Sequence, residues 1–372
     1  VAKDDASQLR APAETDPVDV SQHEEMPRVV LTRRRVLASV IFVVSVVAFL
    51  YFVLPKLLGL HETWQRIQNG DPWWLAAAAV LEVCSFGGYI ALFRVVFVRG
   101  QSRIGWRESY QITMAGLAAT RLFAAAGAGG IALTAWAVRR SGMDARVVAC
   151  RLIAFMVLLY AVYMVTLVVD GIGLYIGVIP GPAPFAITIV PAIFGAIVIA
   201  VFLVISLVPG DLDRLVGRWR VDGGRISRLA RRMATAPATL GSGVRTAIAL
   251  VRTRNPQLLG AIAWWGFDIA VLWACFHAFG TPPPKGVIVM SYFVGMLANT
   301  LPLPGGIGGV DGGMIGAFTA FGVSVELAVV SVLAYRVFAF WLPTIPGAIA
   351  YLQLRRTVHR WRAAEAPTPS YT

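Results

Sequence analysis

Charged side chains are scarce here: 14% of 372 residues, against 57% hydrophobic. A water-soluble domain of that length has no way to hide so much apolar surface, so that class is excluded. Histidine and cysteine are scarce too, with four and three copies. Cys84, Cys150 and Cys275 form no C-x-x-C pair, and all lie in or beside apolar runs. A disulfide framework or zinc site is therefore not expected, and packing is their role. The chain offers no Ser-His-Asp set, metal-ligand cluster or P-loop, and the glycines of 305–313 lack both the G-x-G-x-x-G spacing and a strand–helix setting. No cofactor, no metal and no ATP-driven pumping by this chain alone are expected.

What is present is a series of uncharged apolar runs, such as 36–54 and 185–208. Each approaches the roughly 20 residues that cross about 30 Å of hydrocarbon. The runs predict full transmembrane helices at about 36–54, 73–98, 146–170, 185–209, 257–279 and 326–352. The first has no A-x-A cleavage site and is too long for a signal-peptide core, so it is expected to stay as a helix. Residues 1–27 are polar, acidic and Pro-containing, a composition expected to be disordered in the cytoplasm. Residues 28–355 form one transmembrane domain in this reading, and 356–372 a cytoplasmic tail.

The net charge of +13 suggests nucleic acid at first, but the basic residues sit between the apolar runs and no nucleic-acid motif accompanies them. Of the 33 lysines and arginines, 26 fall in 28–35, 94–107, 139–151, 210–254 and 355–362. Under the positive-inside rule those segments face the cytoplasm, both termini included, and the chain is a multi-pass protein of the cytoplasmic membrane. The Arg-rich linker 210–254 reads either as an amphipathic connection on the inner surface or as a solvated loop.

Two further apolar stretches, 109–140 and 287–322, are interrupted near the middle, by Ala124-Ala-Ala-Gly-Ala-Gly-Gly130 and by Pro302-Leu-Pro-Gly-Gly-Ile-Gly-Gly309. Each half is too short to cross, so both are expected to be re-entrant helical hairpins, shielded from lipid by protein or a watery cavity. The two stretches resemble each other. Gly116-Leu-Ala-Ala-Thr-Arg-Leu122 aligns with Gly295-Met-Leu-Ala-Asn-Thr-Leu301, and Ala149-Cys-Arg-Leu-Ile-Ala-Phe155 with Ala334-Tyr-Arg-Val-Phe-Ala-Phe340. Pro72 and Pro256 open the helix before each hairpin, with Glu82 and Asp268 about three turns in. The single helix 185–209 between the units reverses the second, which predicts an inverted-topology repeat of about 72–170 and 256–352.

Arg336 lies well inside the last helix, where a charge costs at least a few kcal/mol and is functional or paired. Its guanidinium suits phosphate in two-point geometry; the structural alternative is a buried pair with Asp311, Glu326 or Asp268. Arg151 and Arg121 are weaker phosphate candidates. Asp311, at the start of a half-hairpin, is either a dipole-complementing acid or a gating carboxylate. Glu82, Asp268 and Glu326 are candidates for proton coupling or ion pairing. Asn299, Gly305, Gly306, Gly308 and Gly309 form the expected headgroup-binding bend.

At Asn299-Thr-Leu-Pro-Leu-Pro-Gly-Gly-Ile-Gly-Gly-Val-Asp311, followed by Tyr335-Arg336 and Trp341-Leu-Pro343, the sequence resembles the transmembrane, flippase-like region of lysylphosphatidylglycerol synthases and their stand-alone relatives. The likeness covers about 36–355. It implies lipid translocation across the cytoplasmic membrane. Asp311 stands where the family usually has Glu, and the first hairpin has Ala-Gly where many relatives have Pro and a Gly-Glu pair. With no soluble aminoacyl-transfer domain after residue 362, a stand-alone member without synthase activity is expected. The expected function is transport of an anionic or phosphate-bearing lipid, with membrane lipids as substrate and a homo-oligomer or partner enzyme as possible company. The alternative is a membrane-embedded enzyme, or its accessory subunit, acting on a lipid-linked substrate.

Overall fold

A computed structural model describes residues 70–98, 103–122, 128–207, 225–298 and 308–363. These form eleven α-helices with a short 3-10 turn and a π turn: α1 Pro72–Phe97, α2 Trp106–Leu122, α3 Ala128–Arg140, α4 Ala145–Tyr175, α5 Phe185–Leu207, α6 Arg225–Arg252, the 3-10 turn Pro256–Leu259, α7 Gly260–Phe279, α8 Lys285–Leu297, α9 Gly309–Ala320, α10 Val325–Arg336, the π turn Val337–Trp341, and α11 Thr344–Ala363. The described chain is all-helical, as expected of a backbone that must satisfy its own hydrogen bonds inside lipid. Five spans are long and apolar enough to cross a membrane: Pro72–Phe97, Ala145–Tyr175, Phe185–Leu207, Pro256–Phe279 and Val325–Trp361. They are five of the six expected; the sixth, at 36–54, lies outside the described residues.

Helix starts follow local chemistry. Asp71 accepts the Trp73 N–H at 2.9 Å with Pro72 at the first helical position. Asn255 does the same for Gln257 at 2.9 Å, ahead of Pro256. Asp144 caps α4 through the Arg146 N–H at 2.8 Å. A side-chain acceptor for an orphan N–H, followed by a residue with no N–H to satisfy, is an economical way to begin a helix.

Several expected boundaries move. Helix α4 continues five residues past 170, to Tyr175. The first interruption is narrower than its composition implied, because α3 already begins at Ala128 and holds Gly129 and Gly130 in helix. The last helix is not continuous over 326–352. It ends at Arg336, passes through a π turn whose Leu342 N–H reaches the Val337 carbonyl at 2.9 Å, and resumes as α11 through residue 363. Pro343 explains the irregularity: it lacks an N–H and its ring crowds the carbonyl four residues back. The linker 210–254 contains α6, which packs on α4 and α5. A Cβ on Gly243 would lie 2.3 Å from the Ile153 side chain, so this end of the linker is part of the bundle rather than a loop beside it.

The centre of the molecule is the α1–α7 pair. Asp71 N–H donates to the Ala278 carbonyl at 2.9 Å at one end, and Gly88 meets Gly260 at the other. The helices are therefore antiparallel, and glycine at both 88 and 260 permits the approach, since a Cβ on Gly260 would stand 2.3 Å from the Gly88 carbonyl oxygen. Helix α2 packs on α3, α8 on α9, α4 on α5, α9 on α10, and α11 on α2. Helix α4 reaches the second half through Tyr163, whose hydroxyl donates to the Phe293 carbonyl at 2.6 Å. The outer surface is apolar, as on α5, where Ile193, Ile197, Val201 and Val204 are exposed. Such a stripe would be a liability in water and is the ordinary lipid-facing surface of a membrane helix. The three cysteines are free.

Candidate functional site

Buried charge collects at mid-depth. Arg336 is the twelfth residue of the span that begins at Val325, and Asp268 is the thirteenth from Pro256. At 1.5 Å per residue they lie about 16 and 18 Å along, close to half of a hydrocarbon layer of about 30 Å. Glu82 is the eleventh residue of α1 and is buried. The antiparallel register of α1 and α7 sets it at nearly the same level as Asp268.

The sequence left three acids open as partners for Arg336. Asp311 reaches it, with Nε and Oδ1 2.5 Å apart and both side chains buried. The contact is an ion pair rather than a linear hydrogen bond, because Oδ1 lacks well-aligned donor geometry. Glu326 is not the partner: it stands in the first turn of α10, about 15 Å of helix from Arg336, where an acid complements the dipole. Asp268 is engaged by two tyrosine hydroxyls, Tyr292 from α8 and Tyr335 from α10, the latter at 2.9 Å.

Asp311 both caps α9 and pairs with Arg336. Its Oδ2 accepts the Gly308 N–H at 2.9 Å, capping α9, while Oδ1 faces the guanidinium. Gly308 has φ +82°, a left-handed conformation that glycine adopts without steric cost. The cap therefore orients the acid that holds the arginine. Phe340, on the π turn, lies under the guanidinium with its ring centroid 5.0 Å from Cζ, an attractive arrangement for a desolvated cation.

Arg336, Phe340 and the Asp268–tyrosine cluster border a cavity of about 390 Å³ between the two halves of the chain. One wall is Tyr89, Phe93 and Phe97 of α1 with Leu152, Phe155, Leu159 and Tyr160 of α4; another is Trp264, Trp265 and Asp268 of α7 with Tyr292, Tyr335, Arg336 and Phe340. The third is built from Thr113, Gly116 and Thr120 of α2 with Gly130, Ile131 and Thr134 of α3. A pocket of this size, mostly apolar with a few convergent polar groups, is the usual form of a small-molecule site.

Other expected residues fall elsewhere. Arg151 does not line the cavity; its Nη1 donates to the Phe97 carbonyl at 3.0 Å, at the C-terminal end of α1, where a cation offsets the helix dipole. Arg121 is the penultimate residue of α2, and its side chain lies outside the described residues. Asn299, Gly305 and Gly306 also lie outside them, and Gly309 opens α9. Sequence reasoning missed Tyr292, the aromatic walls and the threonine face of α2. Thr113, Gly116, Leu117 and Thr120 follow the i, i+3, i+4, i+7 spacing of one helical face, and that spacing was the available signal. Asp170 was also missed. It is buried on α4, near the first turn of α8, and no hydrogen-bond partner among the described residues satisfies its Oδ2.

Comparison with known proteins places this architecture. Residues 36–347 match the model of the lysylphosphatidylglycerol synthase TM region. The chain belongs to that family. A UPF0104 membrane protein of Methanothermobacter thermautotrophicus is 26% identical over 330 residues, covering 84% of this chain and 94% of that one. A UPF0104 membrane protein of Methanocaldococcus jannaschii is 32% identical over 95 residues, a quarter of this chain. The family match spans the cavity and both halves of the α1–α7 pair, so the site lies within the shared region. The chain is a multi-pass membrane protein of this type.

Proposed function

We propose that this chain is a lipid transporter, a flippase moving an anionic or phosphate-bearing lipid across the cytoplasmic membrane, with both termini cytoplasmic. The observation that carries the reading is the Arg336–Asp311 pair at the edge of a mid-depth cavity between the two halves. A buried arginine paired with a carboxylate on a separate short helix offers an exchangeable site. A phosphate can replace Asp311 on the guanidinium, in two-point geometry, while Asp311 keeps its bond to Gly308. The charge cost of bringing a phosphate to mid-depth is then offset by a cation already there.

The repeat supports alternating access. Helices of 17 and 13 residues, and of 13 and 12, make up the two broken stretches. All are shorter than the roughly 20 residues of a full crossing, which favours re-entrant hairpins. The antiparallel α1–α7 pair is the arrangement that an in-plane two-fold axis imposes on equivalent helices. One unit rocking against the other would expose the cavity to each face in turn.

The test is flipping of a fluorescent anionic phospholipid in proteoliposomes, with thermal stability measured on the same preparations. Arg336→Lys keeps the charge but not the two-point geometry and should lose most transport. Arg336→Ala should lose all of it. Wild-type flipping by Arg336→Ala would make the arginine structural and end this reading. A chemically altered lipid recovered from the vesicles would instead make the chain an enzyme.

A further inference from the structure

We propose that Asp170 is a proton-binding site at the seam between the two units: ionised, it caps α8 and ties that helix to α4, and with a proton bound it lets go, so that the rate of transport follows pH. The proposal rests on the transport reading and adds the group through which protons act on it.

Asp170 and Gly286 meet where α4 and α8 run antiparallel. A Cβ built on Gly286 would lie 3.3 Å from Asp170 Oδ1. The same inward step along each helix, from 170 to 163 and from 286 to 293, leads to Tyr163, whose hydroxyl donates to the Phe293 carbonyl at 2.6 Å. Positions seven apart share one face of a helix, so both contacts belong to one seam. Between them the helices are close, since a Cβ on Gly171 would stand 2.8 Å from the Met290 methyl. Helix α4 closes the first unit and α8 is the first half of the second broken stretch, so this seam joins the units.

The two contacts differ. At Tyr163 the hydrogen bond is made. At Asp170 an acceptor and its donors lie side by side without joining. Its Oδ2 is buried and has no hydrogen-bond partner among the described residues. The N–H groups of Lys285, Gly286 and Val287 open α8 and have no carbonyl within the helix to bond, and Pro284 at the N-cap supplies no side-chain acceptor. An acid at a helix start ordinarily bonds to such groups. A buried carboxylate without donors is costly, and a neutral carboxyl much less so. The seam as it stands therefore suits the protonated acid. Ionisation favours a short movement of α8 toward α4 that brings the Gly286 and Val287 N–H groups onto the carboxylate. A proton from the adjoining water is taken up as that turn withdraws and given back as it returns. The movement can reach the arginine pair, because α8 packs on α9, which bears Asp311.

Neighbouring charges leave this role to Asp170. Helix α5, whose Thr188 carbonyl abuts Gly171, carries no charged residue. Lys285 on α8 has an exposed side chain, and Tyr292 farther along donates to Asp268. At the same end of the bundle, His277 of α7 stacks on Trp74, and Asp71 caps α1. Glu82 and Asp268 lie at mid-depth. The basic ends of α3 and the contact with α6 fall near the start of α4, beside Arg146 and Arg151.

Two measurements need no lipid substrate. Infrared spectra of the purified full chain in phosphatidylcholine vesicles are followed from about pH 5 to about pH 9, a span that covers acids shifted by their surroundings. The wild type should lose a protonated-carboxyl band that Asp170→Asn lacks. Over the same span, amide exchange at Gly286 and Val287, corrected for its intrinsic pH dependence, should slow about tenfold or more as charge-assisted bonds form. In Asp170→Asn, a change of nearly equal size and shape, it should stay at the acid-side value. The third measurement is flipping of fluorescent phosphatidylglycerol in proteoliposomes with equal pH on both sides. Its rate should differ about fivefold or more between the ends of the span in the wild type, and less than about twofold in Asp170→Asn. A wild type without such a band, or with exchange at Gly286 and Val287 indifferent to pH, would overturn the site even if the variant does not fold. A folded variant that keeps the wild-type pH response of flipping would overturn the link to transport. A wild type that shows the band and the exchange change but flips no lipid at any pH would support the site and remove the transport reading instead.

Discussion

Removing Arg336 alone should destabilise the protein more than removing the whole ion pair. In Arg336→Met, the Gly308 N–H still holds one oxygen of Asp311, but the other faces the place the guanidinium left. A buried charge stripped of its partner costs about 3–5 kcal/mol. Loss of the Phe340 contact accounts for about 0.5–1 kcal/mol of that. Asp311→Asn keeps a side-chain acceptor for the Gly308 N–H, so the α9 cap survives, yet it leaves the arginine short of a counter-charge and should cost a similar amount. The double variant Arg336→Met with Asp311→Asn buries two neutral side chains of similar volume and should fall within about 1 kcal/mol of wild type. The coupling between the two sites should therefore be about 5 kcal/mol or more, above the usual range of about 0.5–3 kcal/mol for residues in contact. Reversible unfolding by SDS in mixed micelles, followed by tryptophan fluorescence on all four proteins, gives the cycle. Effects that add to within about 0.5 kcal/mol would refute the pairing. A double variant that recovers both stability and lipid flipping would show that the pair serves only the fold.

Three further outcomes follow from the packing. Gly88→Ala puts a methyl 2.8 Å from the Ala263 Cβ and 2.9 Å from the Gly260 carbonyl oxygen, so it should cost about 1–3 kcal/mol by overpacking. Gly87→Ala, with nothing within 4 Å, should stabilise α1 by up to about 1 kcal/mol in the same unfolding assay. Gly308→Ala forces an L-residue into φ +82° and should cost about 1–2 kcal/mol; because it disturbs the cap on Asp311, it should also slow flipping in proteoliposomes. Reporter tags at 1–20, 215–235 and beyond 360 should read cytoplasmic, and tags at 175–182 and 281–285 external. An external signal from 215–235 would give both units one orientation and end the inverted-repeat argument.

Long apolar runs and their punctuation told most of the secondary structure in advance. Inside lipid a backbone without water has few ways to satisfy its N–H and C=O groups, so a run of about 20 apolar residues commits itself to helix. Pro72 and Pro256 marked helix starts because the first turn of a helix tolerates a residue without an N–H. A charge as isolated as Arg336 announced itself for the same kind of reason, since a lone cation in an apolar run has to be paired or used. The π turn at Val337–Trp341 was half legible, in that Pro343 was visible but the helix was expected to pass through it.

The partners were not legible. Choosing Asp311 over Glu326 for Arg336, turning Tyr292 and Tyr335 onto Asp268, placing Arg151 on the Phe97 carbonyl and facing Thr113 and Thr120 into a cavity all depend on how helices distant in sequence cross and rotate. A membrane helix that is apolar on every side carries little information about which face turns inward. That rotation is set by close contacts such as Gly88 on Gly260, which exist only once both helices are in place. Composition and spacing thus determined that this chain crosses a membrane, where its helices begin and which charge stands at mid-depth. Tertiary packing alone decided what that charge touches, because the contact joins two short helices whose positions no local propensity controls.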